Sequence, residues 1–560
     1  MRPAPVEAPR TSAAVWALAA VFLAAHAALG VIFVRSAAAT YDEAVHLASG
    51  YVYLRTGRYR LNAMDHPPLA EMWAAVPLLA LNPSTLLAHP ACAQGRPYHC
   101  SDAFLYHNRV PAERMLGAGR TFSFLTLSAL LAAGLLTWAR RLGGGAAMVA
   151  ASAALAFCPV LGSNLALVTT DGASAVLFFL VFRLLSVERR SRGRWLAAGA
   201  CAGLALAAKF NMILLGPLVA GTLLLEHALR RARGDKAPFP WGGAALACLA
   251  CALALAAVYR FGQLPVYFQG LSETLARLGQ GRSSFFMGSH STTGFLLYFP
   301  VVLAVKTPLP LLGLALAGLV LWARDRSSWR EGLWVAVPMA GYFSAALSSK
   351  TQIGVRHLLP MIPLLLLAAA WAAGRLWEKG RWGKGAGVLL AAWLAASVVR
   401  VAPHSLAYFN ELVGPAAGYR WFVDSNLDWG QDLKGLAAEV KALGDPPIYL
   451  SYFGCADPAS FGLRYVPVAP ISNVERPAPE TPDPVSSGRV LLAASATNLQ
   501  ATYYADKTLF AWLKSRTPLR TPGYSIFLYD LSGDVEGRRR LAALLQVSGR
   551  PELARTLLLE

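Results

Sequence analysis

Residues 13–34, AAVWALAAVFLAAHAALGVIFV, form the first long apolar run of the chain. A run of this length can cross the hydrocarbon core of a bilayer, which takes about 20 helical residues. It is too long for the apolar region of a signal peptide, and no clear cleavage motif precedes the polar loop that follows it. We therefore predict that residues 13–34 are a signal anchor and the first transmembrane helix.

The composition of the whole chain agrees with a membrane protein. Its 560 residues are 56% hydrophobic and only 15% charged, whereas soluble globular domains carry about 25% charged residues. So few charged residues cannot cover the surface of a soluble protein of this size. The composition excludes an intrinsically disordered chain, a coiled coil and a secreted disulfide scaffold, and the chain carries no recognisable motif for RNA or DNA.

Further apolar runs bring the predicted number of transmembrane helices to about eleven. The run 294–323 is interrupted by Lys306, Pro308 and Pro310, so it is either one long tilted helix or a re-entrant piece followed by a span. The other predicted spans are 121–138, 146–163, 170–187, 195–209, 211–229, 241–259, 332–347, 358–374 and 386–402.

The loops between these spans predict the orientation of the chain. The net charge is +20, and clusters of Arg and Lys follow the second, fourth, sixth, eighth and tenth spans, on the same side as the N-terminus. By the positive-inside rule that side is cytoplasmic. Three larger pieces then face the other side: the loop 36–118, the loop 260–293 and the C-terminal tail.

The C-terminal tail is much less hydrophobic than the rest of the chain. It contains strand-like runs at 448–450 and 490–492, loop-forming prolines at 446–447 and between 477 and 484, and amphipathic helical patterns over 537–560. We predict a transmembrane domain over 1–402 and a small α/β domain over 403–560.

The first outer loop carries two groups of ionisable residues. Asp42 and Glu43 follow the first span directly, and Asp65 and His66 precede the pair Pro67-Pro68. The residues alone leave two interpretations open for each group. The acidic pair is either functional or part of a helix cap, with Glu43 three residues after Thr40 as in a capping box. The second group is either functional or a plain helix start with proline in the first turn.

Taken together, the two groups resemble the first exported loop of the GT-C glycosyltransferases, and most of all glycosyltransferase family 39, which includes protein O-mannosyltransferases and aminoarabinose transferases of lipid A. The resemblance covers about residues 40–435. Further matching segments are Gly281–Phe285 with His290, Tyr298–Pro300, Lys306–Pro310, Gly354–Pro360, Ser405–Glu411 and Asp424–Leu433.

This resemblance implies a mainly α, polytopic GT-C fold with a large helical first periplasmic loop. It also implies sugar transfer from a polyprenyl-phosphate donor at the periplasmic face, with inversion. Asp42 matches the catalytic acidic position and would act as general base. Glu43 would help to position the acceptor, and Asp65 matches the second acidic position. The implied cations for the donor phosphate are His66, Arg282, Lys306, Arg356 and His357.

Several of these roles have a plainer alternative. His66 stands where relatives often carry Lys, which leaves its charge open. Lys306 can simply snorkel to the interface if a helix begins there. Arg356 and His357 can be interfacial anchors that face lipid headgroups.

Three more carboxylates are candidates for the cavity or the acceptor site. Asp171 either faces the cavity or caps a helix. Asp424 and Asp428, with Asp432, either bind a sugar or a divalent cation such as Ca²⁺ or Mg²⁺ or pack the tail onto the membrane domain. No dedicated metal motif is present, so a divalent cation stays open. If the first loop is exported, Cys92 and Cys100 can form a disulfide.

The leading hypothesis is therefore a glycosyltransferase of the bacterial inner membrane, with a cytoplasmic N-terminus and a periplasmic C-terminal domain. A polyprenyl-diphosphate-dependent glycan ligase or polymerase is the alternative enzyme. A transporter would place ionisable residues near mid-membrane, whereas this chain concentrates them at the outer interface, and a scaffold protein would not need them. The donor sugar and the acceptor, whether protein, lipid or glycan, stay open.

Overall fold

The computed structural model describes residues 12–325, 327–476 and 481–559. The predicted cytoplasmic N-terminus and part of the predicted loop between 477 and 484 lie outside these ranges. The helices are α1 Ala13–Ser36, α2 Glu43–Thr56, α3 Leu69–Ala75, α4 Leu78–Leu81, α5 Pro90–Ala93, α6 Pro97–Tyr106, α7 Ala112–Ala156, α8 Pro159–Ala166, α9 Thr170–Leu185, α10 Arg192–Ala208, α11 Leu215–Ala232, α12 Trp241–Val258, α13 Leu264–Gln280, α14 Tyr298–Lys306, α15 Leu309–Arg324, α16 Trp329–Leu347, α17 Ile362–Trp377, α18 Gly380–Val399, α19 Leu433–Ala442, α20 Ala496–Leu499, α21 Val535–Val547 and α22 Pro551–Leu559. The strands are β1 Ser284–Phe286, β2 Ser289–Ser291, β3 Ile448–Ser451, β4 Tyr465–Pro467, β5 Leu491–Ser495 and β6 Ile526–Asp530.

The helices confirm a multi-pass membrane protein. Within the described ranges, six helical segments are long and apolar enough to cross a membrane, and up to eight are if each of two bent pairs counts as one span. The three remaining predicted spans correspond to the second half of α7, to α10 and to α16. The number eleven therefore stays a prediction, although every predicted span is largely helical.

Two breaks in these helices have clear local causes. The 45-residue α7 is interrupted at Gly143 and Gly144, where Gly144 takes a φ of 63° that residues with a Cβ rarely adopt. The run 294–323 is not one long helix, because α14 and α15 meet at a bend of 117°. Pro308 at this bend has no N–H to donate to the preceding turn.

Helix α17 lies at the centre of the membrane part and is buried over most of its length. It packs against α7 and α15, and Trp371 of α17 stacks on Trp322 of α15 with ring centroids 4.6 Å apart. The close approach of α15 depends on Gly318, where a Cβ would lie 2.2 Å from the carbonyl oxygen of Ala368. Helices α1, α12 and α18 lie outside this core and expose most of their apolar residues, as expected for surfaces that face lipid.

The first outer loop is helical, from α2 to α6, and Cys92 and Cys100 form a disulfide between α5 and α6. Helix α2 ends at Thr56 because Gly57 follows in the left-handed conformation and donates its N–H to Tyr53. The expected helical first loop is thus confirmed.

The C-terminal part contains the expected small α/β fold. Its sheet has the strand order β4-β3-β5-β6, in which β3 is parallel to both neighbours and β6 is antiparallel to β5. Residues 405–432 lie between this sheet and the membrane helices. Their backbone joins the first loop, since Ala38 and Tyr41 donate to the carbonyls of Gln431 and Trp429 at 2.8 and 2.9 Å. The domain boundary at residue 402 stays a prediction.

Candidate active site

Asp42 lies at the start of α2, where the chain leaves the extended segment after α1. Its carboxylate is partly open, with the side chain 19% exposed. One oxygen, Oδ2, lies 3.6 Å from Nη1 of Arg356, and the other accepts a long hydrogen bond of 3.4 Å from the hydroxyl of Tyr98. An open carboxylate with a cation beside it can accept a proton from a bound hydroxyl.

Glu43, its neighbour, points into the protein instead. Its carboxylate accepts from the guanidinium of Arg120 at 2.8 Å, from the N–H and hydroxyl of Thr40 at 2.9 and 3.0 Å and from the N–H of Val168 at 2.9 Å. Burial opposes the charge, yet Arg120 and these hydrogen bonds keep the pKa of Glu43 below its usual value. The contact with the N–H of Thr40 is one half of a capping box, although the N-cap of α2 is Asp42. Glu43 is fully buried and holds the loop through these contacts, which differs from the role in positioning the acceptor that the resemblance implies.

Arg356 connects Asp42 to a second buried carboxylate. Its Nη1 lies 3.5 Å from Oδ2 of Asp171, and its guanidinium lies 4.2 Å from the ring centroid of Trp429. Asp171, in the first turn of α9, is also ion-paired with Lys209. The four residues Lys209, Asp171, Arg356 and Asp42 thus form a continuous row of alternating charge, which we call the charged row.

Lys209 is the member of this row that sequence reasoning missed. It was the last residue of a predicted span, and only its charge between two tightly spaced apolar runs could have signalled it. In the structure it separates α10 from the 3₁₀-helix Phe210–Leu214 and faces a cavity. Because Asp171 is almost fully buried and Lys209 is 14% exposed on its side chain, the cation is the partner that a ligand can reach.

The cavity beside Lys209 has a volume of about 600 Å³. Lys209, His66 and His357 of its lining lie close together and form its polar end. One wall is provided by α13, which is amphipathic and also exposes leucines to the outside. The polar lining residues include Asp65, His66, Lys209, Asn211, Lys350 and His357, and the apolar ones include Phe210, Ile213, Leu214, Leu271, Leu275, Leu278 and Phe299.

His66 lies at this polar end and packs edge-on against His46, with ring centroids 4.8 Å apart. His46 in turn is hydrogen-bonded to the buried carboxylate of Glu71 at 2.9 Å. Burial, together with the positive charges of His46 and Lys209, holds the pKa of His66 well below its usual value. A neutral His66 can donate or accept a hydrogen bond with a ligand, but the positive charge in the cavity comes from Lys209 and Lys350.

Asp65 also lines the cavity, but its carboxylate is ion-paired with Arg277 of α13. Arg277 additionally donates to the carbonyl of Met64 at 2.8 Å. The pair therefore connects the turn before Pro67 to the α13 wall of the cavity. This geometry favours a structural role for Asp65, in which it fixes the α13 wall in place, over the role of a second catalytic acid.

We expect Asp65→Asn and Arg277→Ala to lower activity equally and modestly, by at most about fivefold, because both side chains are half-exposed and such pairs are worth about 0.2–1 kcal/mol. The double variant should lose no more than either single variant, and the charge swap Asp65→Arg with Arg277→Asp should restore activity. Initial rates with purified protein in nanodiscs measure this. A loss of more than 100-fold in Asp65→Asn that the swap does not restore would instead make Asp65 catalytic.

Lys306 does not line the cavity. Its amine, at the end of α14, donates to the carbonyls of Leu406 (2.8 Å) and Asn426 and lies 4.5 Å from the ring centroid of Phe409. These contacts satisfy the buried cation and bind the segment 405–426 to the bend before α15. The role in donor binding that the resemblance implies for Lys306 does not agree with this placement.

Arg282 and Asp424 lie on the other side of Asp42. The guanidinium of Arg282 lies 5.0 Å from the ring centroid of Tyr503, whose hydroxyl donates to Asp424. Arg282 is absent from the lining of the large cavity, unlike the expected donor-phosphate residues His66 and His357. Arg356 does not line the large cavity either, but it is connected to Lys209 through Asp171 in the charged row.

Asp428 is fully buried. One carboxylate oxygen accepts from the N–H of Thr497 at 2.8 Å, and burial raises the pKa of Asp428 to about 8. The acids at 424, 428 and 432 do not share a helix face, because α19 begins only at Leu433. Among the residues that the structure describes, no group of three or more His, Cys, Asp or Glu side chains is arranged to hold a metal ion.

Comparisons with known proteins agree with this architecture. The family model of dolichyl-phosphate-mannose-protein mannosyltransferases matches residues 117–256. The crystal structure of ArnT from Cupriavidus metallidurans in the apo state is similar at 15% identity and a TM-score of 0.51, over 93% of this chain and 98% of that chain. The same protein bound to undecaprenyl phosphate is similar at 16% identity, with the same TM-score and coverage. A sequence search of curated proteins gives no match.

These likenesses establish the fold over almost the whole chain. Together, the family model and the fold indicate a membrane glycosyltransferase of the GT-C type, as the resemblance of the first loop implied. Membership of family 39 itself stays a prediction.

Proposed function

We propose that this chain transfers a sugar from a polyprenyl-phosphate donor to an acceptor hydroxyl, with inversion. The observation that carries the proposal is the charged row, which connects a large amphipathic cavity at Lys209 to an open carboxylate at Asp42. The similar ArnT structure with undecaprenyl phosphate supports a donor of this class.

The cavity suits both parts of such a donor. Its apolar lining from Phe210 to Leu214 and from α13 would contact the polyprenyl chain, and its polar end offers Lys209 and His357 to the phosphate. Oriented cations near a phosphate oxygen stabilise the negative charge that develops as the phosphate leaves. The donor sugar would then lie between Lys209 and Asp42.

The chemistry needs one base and one leaving group. The acceptor oxygen attacks the anomeric carbon as its proton passes to the carboxylate of Asp42. The bond from that carbon to the phosphate oxygen breaks, and its electron pair stays with the phosphate. Arg356 lies between the two ends and can interact with charge at either one. A single displacement of this kind inverts the anomeric carbon without a covalent intermediate.

We further propose that the site faces the periplasm of a bacterial inner membrane, with the N-terminus in the cytoplasm. The basic clusters after alternate spans support this orientation. The first loop is bound to the segment 405–432 by the hydrogen bonds of Ala38 and Tyr41, and both would then be periplasmic, together with the C-terminal sheet that follows.

A donor panel tests the proposed function. Purified protein in nanodiscs is incubated with different polyprenyl-phosphate sugars and a membrane extract, and free polyprenyl phosphate is measured. Release from at least one donor, faster than in protein-free nanodiscs, is the expected result. Release only from polyprenyl-diphosphate donors would favour the glycan ligase or polymerase, and no release from either class would overturn the proposal.

Lys209→Ala should weaken donor binding by about 10- to 100-fold, because a hydrogen bond to a charged group contributes about 1.5–3 kcal/mol. Binding of polyprenyl phosphate to the protein in nanodiscs measures this. The double variant Lys209→Ala with Asp171→Asn separates the loss of the cation from the effect of an unpaired buried carboxylate. Lys441→Ala, at an exposed position on α19, is the matched control. Unchanged binding in both Lys209 variants would contradict the role of Lys209.

A further inference from the structure

A second cavity, of about 510 Å³, lies at the opposite end of the membrane helices from the charged row. We call it the basic cavity, because four arginines line it: Arg141, Arg230, Arg233 and Arg330. Asp171 lies in the first turn of α9, whereas Ser186, directly after that helix, lines the basic cavity. The 16 residues of α9 span about 24 Å, so the basic cavity is separate from the candidate active site.

Two of the four arginines are held by neighbouring groups. Arg330 is buried, is ion-paired with Glu226 and donates to two backbone carbonyls between α9 and α10 at 2.6 Å. Arg230 lies 3.8 Å from a carboxylate oxygen of Glu188 and 3.4 Å from one of Asp235. These contacts provide partners for two of the three carboxylates that line the basic cavity.

The other two arginines keep donors available to a ligand. Arg233 is exposed and lies 4.1 Å from the ring centroid of Trp329, which leaves the N–H groups at the edge of its guanidinium open. Arg141 is also exposed and donates to the hydroxyl of Ser186 at 2.8 Å. Among the described residues, neither arginine has a carboxylate oxygen within 4.0 Å. Glu331, the third carboxylate of the lining, acts on Arg141 at longer range.

Exposed tryptophans indicate that the basic cavity lies at the level of the lipid headgroups. Trp16, near the start of α1, is exposed and lies 5.9 Å from the guanidinium of Arg140, the residue before the cavity-lining arginine of α7. Trp241, at the start of α12, is exposed too. That end of α12 packs on Trp195 at the start of α10, which a Cβ at Gly243 would touch at 2.3 Å. Tryptophans on the outside of membrane helices are enriched at the membrane–water interface.

We propose that the basic cavity binds the phosphate group of an anionic membrane lipid. This proposal is independent of the proposed function. Four arginines and three carboxylates line the cavity, which leaves one positive charge in excess for the single negative charge of a phosphodiester. Guanidinium groups suit phosphate oxygens because they can donate two parallel hydrogen bonds. Basic pockets between membrane helices on the cytoplasmic side bind anionic headgroups, and the basic clusters of this chain predict that this end is cytoplasmic.

A bound phosphate would connect two parts of the membrane domain. Arg141 belongs to α7, whereas Arg233 follows the last turn of α11. A phosphate between the two guanidiniums would bind both helices and reduce the repulsion between their cations. Because a ligand that binds the folded state stabilises it, the lipid should raise the unfolding temperature.

Lipid binding to the full-length protein tests this proposal. The protein is freed of lipid in a neutral detergent and titrated with phosphatidylglycerol, and in parallel arms with phosphatidylcholine and with inorganic phosphate. Native mass spectrometry measures bound ligand, and thermal unfolding measures stabilisation. The test variants are Glu331→Gln and the double variant Arg141→Gln with Arg233→Gln. Arg381→Gln is the matched control, because Arg381 is also exposed and lies over a tryptophan ring but does not line the basic cavity.

We expect phosphatidylglycerol to bind at least about tenfold more tightly than phosphatidylcholine and to raise the unfolding temperature. The double variant should bind phosphatidylglycerol at least about tenfold more weakly, since hydrogen bonds to charged groups are lost, whereas Arg381→Gln should stay within about twofold of wild type. Glu331→Gln, which removes a carboxylate from the lining, should bind this lipid more tightly. Lys209→Ala should keep the affinity for phosphatidylglycerol, because Lys209 lines the other cavity.

Three results would overturn the proposal. One is equal affinity for phosphatidylglycerol and phosphatidylcholine. A second is affinity for inorganic phosphate as high as that for phosphatidylglycerol, which would make the ligand a soluble phosphate. The third is a loss in Lys209→Ala as large as that in the double variant, which would place the lipid in the other cavity. The single variants Arg141→Gln and Arg233→Gln, each with an intermediate loss of affinity, repeat the test with smaller changes to the protein.

Discussion

Asp42→Asn is expected to lower the rate of sugar transfer by about 10²- to 10⁴-fold, the usual contribution of a general base. The amide keeps the size of the side chain but cannot take the proton of the acceptor hydroxyl. Binding of polyprenyl phosphate should change little, because Asp42 lies at the far end of the charged row from Lys209. Single-turnover release of polyprenyl phosphate, measured beside donor binding, separates the two effects.

The control for this prediction is Asp506→Asn, which changes an exposed aspartate of the C-terminal part and should keep wild-type activity. A folded Asp42→Asn protein with a rate within threefold of wild type would exclude Asp42 as the base. A loss of donor binding equal to the loss of rate would instead assign Asp42 to the donor.

Glu43→Ala is expected to lower the free energy of unfolding by about 3–5 kcal/mol, the effect of removing one partner from a buried ion pair. Arg120 is 1% exposed. Without Glu43 it keeps only its hydrogen bonds to the carbonyls of residues 34, 37 and 38, of which those to Ala37 and Ala38 measure 2.8 and 2.7 Å. Thermal unfolding in a fixed detergent measures the loss.

The pH dependence of this stabilisation has a definite sign. Since the pKa of Glu43 is lower in the folded than in the unfolded state, the stabilisation is complete above the ordinary carboxyl range. It is lost as the pH falls through the lowered pKa. Wild type should therefore lose more stability on acidification than Glu43→Ala.

Glu378→Ala is the matched control for the stability prediction, because it removes the partner of Arg375 from an exposed ion pair. It should change the free energy of unfolding by less than about 1 kcal/mol. Activity per folded Glu43→Gln molecule should stay close to wild type. A stable but inactive Glu43→Gln protein would contradict the structural role and would show that Glu43 is needed for catalysis.

The membrane architecture was largely predictable because apolar run length and loop charge are local properties of the sequence. The helix α1 at Ala13–Ser36 agrees with the predicted span 13–34 to within two residues. The sequence left two interpretations of the run 294–323, either one long tilted helix or a re-entrant piece followed by a span. The position of Pro308 alone did not distinguish them, and the bend between α14 and α15 excludes the single helix. Whether a proline bends a helix or breaks a span depends on the contacts that the freed backbone carbonyls find, and here the carbonyls of Ala304, Val305 and Thr307 accept from Asn410.

Of the proposed site, the sequence of the first loop indicated Asp42 as the candidate base, through its resemblance to a family motif. The same motif placed Glu43 at the site as well, because the sequence does not show that these adjacent residues point in different directions and that Glu43 faces the interior. The buried ion-pair partner of Glu43 is Arg120, which is 77 residues away in the sequence, and no local sequence pattern predicts such a contact.

By itself, the sequence of this protein determined its class, a multi-pass membrane protein with a helical first loop and a small C-terminal α/β region. These follow from periodicity, composition and short motifs, which act within about one turn or one span of the chain. The tertiary structure alone decided that Lys209 faces the cavity, that Lys306 binds carbonyls and that Arg282 lies over Tyr503 beside Asp42. Charges buried in a protein must find partners, and those partners come from segments that are distant in sequence and meet only in the fold.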